Sequence, residues 1–175
     1  MENTSPLAPG IQVIITKPGS SLYKVLQKLT SEGRCLVVDV DGSATALLAD
    51  TPSQAVIALS SLDLAGTMGQ VVSVGKGFRV IVFNSLNTLA EMNRYKGSTK
   101  TWMRYFFRDL LLTSSFCTSL AETACFIHVL QEHSIQRLLN SWQSRVYQRI
   151  GTLWVYRDDR DEFIRISYTT RENRS

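Results

Sequence analysis

Apolar residues in this chain come in short runs broken by Gly, Pro and Asp. None approaches the ~20 consecutive apolar residues that cross a bilayer. A chain built this way can bury its hydrophobic groups only by assembling many short elements around one core. Its 175 residues suit a single domain, and a hydrophobic fraction of 44% is too high for a disordered chain. The first ten residues carry neither a basic segment nor an apolar one, so no secretory leader is expected. Three cysteines without framework spacing argue against a disulfide scaffold. The expectation is an intracellular protein, not secreted and without a transmembrane segment.

The pattern of elements reads as α+β: a single domain with an antiparallel sheet packed against helices and a C-terminal hairpin. Residues 1–10 read as a flexible tail, 11–168 as the domain and 169–175 as a charged tail. Ile11–Thr16 reads as a strand that stops at Lys17-Pro18-Gly19. Leu22, Val25, Leu26 and Leu29 then mark one buried face of a helix. Arg34–Val40 and Ala44–Leu48 read as a hairpin about Asp41-Gly42. Ser53–Leu62 suits helix or strand. Val71–Val74 and Phe78–Phe83 read as a second hairpin around Gly75-Lys76-Gly77. Helices are expected from Lys100 to Leu112 and, with a bend near His133, from Leu120 to Ile150. Leu153–Arg157 and Glu162–Tyr168 form the final hairpin.

Catalytic signals are sparse. Val37-Val38-Asp39-Val40-Asp41-Gly42 resembles the first motif of haloacid-dehalogenase-type phosphatases, which implies Asp39 as nucleophile and Asp41 as general acid. That family also needs a Ser or Thr at a strand end, a lysine and a second acidic pair. Ser85 and Asp158-Asp159 are the candidates, but the repeated strand–helix alternation of a doubly wound sheet is not legible. Val13 through Leu48 is similar to half of a cystathionine-β-synthase-type nucleotide-sensing module, without a second copy. Gly75-Lys76-Gly77 lacks the remaining positions of a phosphate-binding loop. Among Cys117, Cys125, His128 and His133 the two histidines have zinc-site spacing but the two cysteines do not; on a helix Cys125 and His128 would share a face while His133 would lie about 140° round, so the four would not converge. No cofactor, metal site, catalytic residue or small-molecule substrate is expected.

The stronger signal is cationic. The formal net charge is +4, and the excess lies wholly in the second half, where arginine dominates. Lys96, Lys100, Arg104 and Arg108 recur every four residues beside Trp102, Tyr105, Phe106 and Phe107. Arg145 and Arg149 form an i, i+4 pair, with Arg137 two turns earlier. Such faces suit nucleic-acid phosphates or an anionic membrane. A small basic α+β chain with Pro6-Leu7-Ala8-Pro9 near its start, and the terminal strand Leu153-Trp154-Val155-Tyr156, resembles the matrix proteins of rhabdovirus-type negative-strand RNA viruses. That resemblance implies a non-enzymatic viral structural protein of host cytoplasm and virion. It would self-associate and contact nucleocapsid and anionic membrane. The alternatives are an RNA-binding regulatory protein and a phosphatase built on Asp39 and Asp41.

Overall fold

A computed structural model describes residues 5–31, 35–39, 42–47, 55–58, 64–85, 108, 110–115, 118, 122, 124–134 and 142–167. The strands are β1 (Gly10–Thr16), β2 (Cys35–Asp39), β3 (Ala55–Ala58), β4 (Val80–Asn84), β5 (Cys125–Gln131), β6 (Thr152–Arg157) and β7 (Glu162–Ile166). They form one sheet in the order β3-β2-β4-β5-β1-β6-β7. The pairings from β3 through β6 are all parallel. Only the β6–β7 hairpin is antiparallel.

The helices are α1 (Ser20–Thr30), α2 (Ser43–Leu47), α3 (Leu64–Gly75), a helical stretch over 110–115 termed α4, and α5 (Trp142–Ile150). Parallel neighbours need crossover connections, and right-handed crossovers send the helix to a face set by the direction of travel along the sheet. The chain moves one way from β1 through β2 to β3, then back through β4 and β5 to β6. Two cores result. Leu22, Val25, Leu26 and Leu29 of α1 and Ala44 of α2 pack with Ile14, Val37, Val82 and Ile127 on one face. Met68 and Val71 of α3, Leu110 of α4 and Tyr147 of α5 pack with Val13, Ile15, Val38 and Phe126 on the other. The sheet is therefore doubly wound.

Helices and one sheet share a single domain, and the C-terminal hairpin forms as expected. The sheet itself is mixed and mostly parallel rather than antiparallel. A strand covered on both faces loses the apolar–polar alternation that reveals its pairing partner: every residue of β2 is buried. The same effect explains the largest correction. Residues 125–131, expected within one long helix, form β5, because a short buried strand and a buried helix share an apolar profile. Among the described residues, the end of the expected helix is helical, as α5. Residues 43–47 do not return as the second strand of a hairpin. Gly42 takes φ +79° and leads into α2, where a return strand was expected. Val71–Val74 lies inside α3, which ends at Gly75, so Gly75-Lys76-Gly77 joins a helix to β4. Ala55–Ala58 resolves the open segment as strand.

At the start of the chain, Pro6 is buried and Leu7 packs on the α1-face core. The Cys125 thiol donates to the Pro6 carbonyl at 3.1 Å, and Gln12 Nε2 donates to the Ala8 carbonyl at 3.3 Å. Lys17-Pro18-Gly19 ends β1 as expected. Gly19 adopts φ +81°, where a side chain would be strained, and its carbonyl accepts the Tyr23 amide to open α1.

Candidate functional site at the carboxyl edge of the sheet

Because β1, β2, β4, β5 and β6 run parallel, their last residues line one edge. Open α/β sheets bind ligands outside this edge, where neighbouring strands send their connections to opposite faces. Here β1 exits toward α1 and its neighbour β5 exits toward α5, so the gap between them is such a switch point.

Much of the edge is occupied by an internal hydrogen-bond network. The Asp39 carboxylate, 3% exposed, accepts the Ala44 and Thr45 amides at 3.2 and 2.8 Å and the Thr45 hydroxyl at 2.7 Å. Asn84 Nδ2 reaches it at 3.5 Å. Gln131 Nε2 donates to Ser85 Oγ at 3.0 Å and approaches Asn84 Oδ1 at 3.5 Å. The register supports this chain of contacts, since Asp39 lies opposite Asn84. A buried carboxylate is tolerable only when its lone pairs are filled in this way. Asp39 thus caps α2 and ties it to the end of β4.

This arrangement bears on the phosphatase-like motif. Ser85 does follow the strand next to Asp39. Asp158 and Asp159, however, sit on the β6–β7 turn. Four strand spacings of ~4.8 Å place β6 about 19 Å from β2. Asp158 is engaged by the Ser21 hydroxyl at 2.9 Å, and Asp159 by Arg157. The acidic pair therefore cannot join Asp39. Asp41 lies outside the described residues.

Beyond the ends of β1, β5 and β6 opens a cleft of about 540 Å³. Lys17, Ser21 and His133 stand on its walls, and Val155, Ile164 and Ile166 form its apolar lining. The β6–β7 turn closes one side. There Tyr156 donates to Asp161, and Lys28 of α1 pairs with Asp161 at 3.3 Å.

The cysteine–histidine cluster does not assemble. Strand alternation sends Cys125 to the α1 face and His128 to the opposite one, so the shared helical face expected for them does not exist. No group of three metal-ligating side chains occurs among the described residues, and Cys117 lies outside them. Burial pushes the Cys35 and Cys125 thiols up to about 12, which keeps both protonated and unreactive. His128 is fully buried against Phe83 and Phe126, with ring centroids at 5.8 and 5.0 Å. Its Nε2 lies 3.0 Å from Ser114 Oγ, which also donates to the Leu110 carbonyl at 2.7 Å. Desolvation drives its pKa down to about 3, so the ring is neutral. Its Nδ1 has no hydrogen-bond partner among the described residues.

Of the cationic candidates, Arg108 is exposed, and Arg145 and Arg149 are exposed one turn apart on α5. Ser144 and Tyr147 form the buried side of that helix. Neither Arg145 nor Arg149 has a carboxylate partner among the described residues. Lys96, Lys100, Arg104 and Arg137 lie outside the described residues. Sequence reasoning missed Asn84, Gln131 and Lys17 as edge residues. The available signal was a polar residue closing each apolar strand. No protein-family model matches the chain, and no characterised protein aligns with it significantly. No helix among the described residues is long and apolar enough to cross a membrane.

Proposed function

We propose that this protein is a non-enzymatic interaction protein that binds nucleic acid through cationic surfaces. One observation carries the reading. Strands β4 and β5 are parallel neighbours, so the connections that follow them leave the sheet side by side at the carboxyl edge. The sequence after β4 carries Arg94, Lys96, Lys100 and Arg104 against the single acid Glu91 up to residue 107. The sequence between β5 and α5 carries Arg137 against Glu132. Interleaved aromatic residues, Tyr95, Trp102, Tyr105 and Phe106, suit stacking on bases. Arg145 and Arg149, without a carboxylate partner among the described residues, extend the cationic character onto α5. The internally saturated Asp39 network favours a non-catalytic role.

A matrix-type role, with self-association and an anionic membrane as partner, would use the same cations. Pro6 is buried, so the Pro6-Leu7-Ala8-Pro9 segment is not displayed as a whole, and nucleic acid is the partner proposed. The test is fluorescence anisotropy with single-stranded RNA across about 50 to 200 mM salt. Binding should weaken linearly in log K against log salt, and Lys100→Glu with Arg104→Glu should flatten the slope by about two phosphate contacts' worth. Salt-independent binding, or binding to anionic vesicles but not RNA, refutes the proposal.

A further inference from the structure

The cleft at the ends of β1, β5 and β6 carries charge of both signs, and the contacts already made sort those charges. Arg157 and Asp159 pair with each other at 3.3 Å and cancel. Asp158 accepts the neutral Ser21 hydroxyl at 2.9 Å and has no other partner among the described residues, so its negative charge is kept. A carboxylate offers about four lone-pair positions, and this contact fills one of them. Lys17 is exposed and has no ion-pair partner among the described residues. One positive and one negative group are therefore left over, and they do not pair with each other. The strand register keeps them near one another. Ile15 of β1 lies beside Val155 of β6, so Lys17 comes level with Arg157, one residue before Asp158. Beside these charges Val155 is buried and Ile164 and Ile166 are half-buried, an apolar wall on one face of the hairpin. The volume of about 540 Å³ falls within the range of small-molecule sites.

The balance of charge narrows the ligand. A simple anion would meet Asp158, and a simple cation would meet Lys17. A molecule with a carboxylate and an ammonium on one carbon satisfies both, and an apolar group on that same carbon covers the wall. We propose that this cleft binds a free α-amino acid with an apolar side chain. Its carboxylate lies against Lys17, its ammonium against Asp158, and its side chain on Val155, Ile164 and Ile166.

The probe is L-leucine, titrated into the full chain and followed by amide chemical shifts in NMR at pH 8, above the ordinary range of histidine. Saturable one-to-one shifts are expected. Glycine, which lacks the apolar body, should bind more weakly, as should 4-methylpentanoate and 3-methylbutylamine, which each lack one charge. Asp158→Asn keeps an acceptor for Ser21 but removes the charge. It should raise the Kd for leucine about three- to fivefold, the worth of one exposed ion pair, and leave that for 4-methylpentanoate no higher. Lys17→Met should raise the Kd for leucine by a similar factor and leave that for 3-methylbutylamine no higher. The dispersion of the same spectra shows that both variants are folded. Absence of saturable shifts at tens of millimolar leucine overturns the proposal. So does a leucine Kd unchanged in both folded variants, or equal affinity for leucine and its two singly charged analogues. RNA affinity measured alongside is independent of this site, so either reading can fail without the other.

Discussion

The buried His128 makes a sharp prediction about stability and pH. Its pKa is about 3 in the folded protein, because desolvation disfavours the imidazolium, against an ordinary value of 6.5. Below pH 6.5 the unfolded chain takes up a proton that the folded chain refuses. Stability is therefore intact above 6.5 and falls as pH drops toward 3, with a limiting slope of about 1.36 kcal/mol per pH unit. Integrating between pH 7 and pH 5 gives a loss of about 2 kcal/mol from this residue alone. The window is selective, since model carboxylates titrate near 4 and the chain has only two histidines. Urea denaturation at pH 7, 6 and 5 measures the effect. The wild type should lose about 2 kcal/mol, and His128→Leu should lose almost none. His133→Gln is the exposed-site control. Where His128→Leu folds poorly, the ring protons of His128 followed by NMR replace it, and they should not titrate between pH 7 and 5. A flat wild-type profile, or a His128→Leu variant that keeps the full loss, refutes the argument.

Four further outcomes follow from the packing. Leu26→Ala removes a fully buried side chain from the α1 face and should cost about 2–5 kcal/mol in chemical denaturation. Asp39→Ala strips acceptors from the Ala44 and Thr45 amides and the Asn84 side chain, and should cost roughly 3 kcal/mol by the same assay. Gly151→Ala would place a Cβ 2.3 Å from the Ile11 carbonyl oxygen, so the junction between α5 and β6 must shift and the melting temperature should fall by several degrees. Cys35 and Cys125 should resist a thiol reagent in native buffer and react once denaturant is added, read by mass spectrometry of labelled peptides.

What the sequence revealed depended on local chemistry. The α1 face was legible because Leu22, Val25, Leu26 and Leu29 alternate with the outward Tyr23, Lys24 and Gln27. The last hairpin was legible because Asp158 through Asp161 punctuate two short apolar runs. Strand pairing was not legible, since Ile14 meets Val129 across more than a hundred residues and no local signal encodes that partner. Uncharged α3 looked strand-like through Val71 and Val72, because its helical character is imposed by packing of Met68 and Val71 on the sheet. Asp39 drew attention as a motif residue, yet its role as cap and tether emerges only when α2 and Asn84 come to it. Arg145 and Arg149 were legible as an i, i+4 pair from spacing, but their exposure is set by which side of α5 packs on the sheet.

The position of β1 has a consequence for how the chain becomes a protein. Its two neighbours, β5 and β6, are both encoded beyond residue 124. As synthesis proceeds from the amino end, Val13, Ile14 and Ile15 emerge early and have no strand to pair with until the last third of the chain is made. The first three strands can form at most a partial sheet lacking its centre. Folding therefore waits on synthesis of β5 and β6, and the long loop closures make it slow by the measure of contact order. During that wait the early apolar strands are exposed edges, so a stalled or truncated chain ending before β6 should be prone to aggregation or capture by chaperones.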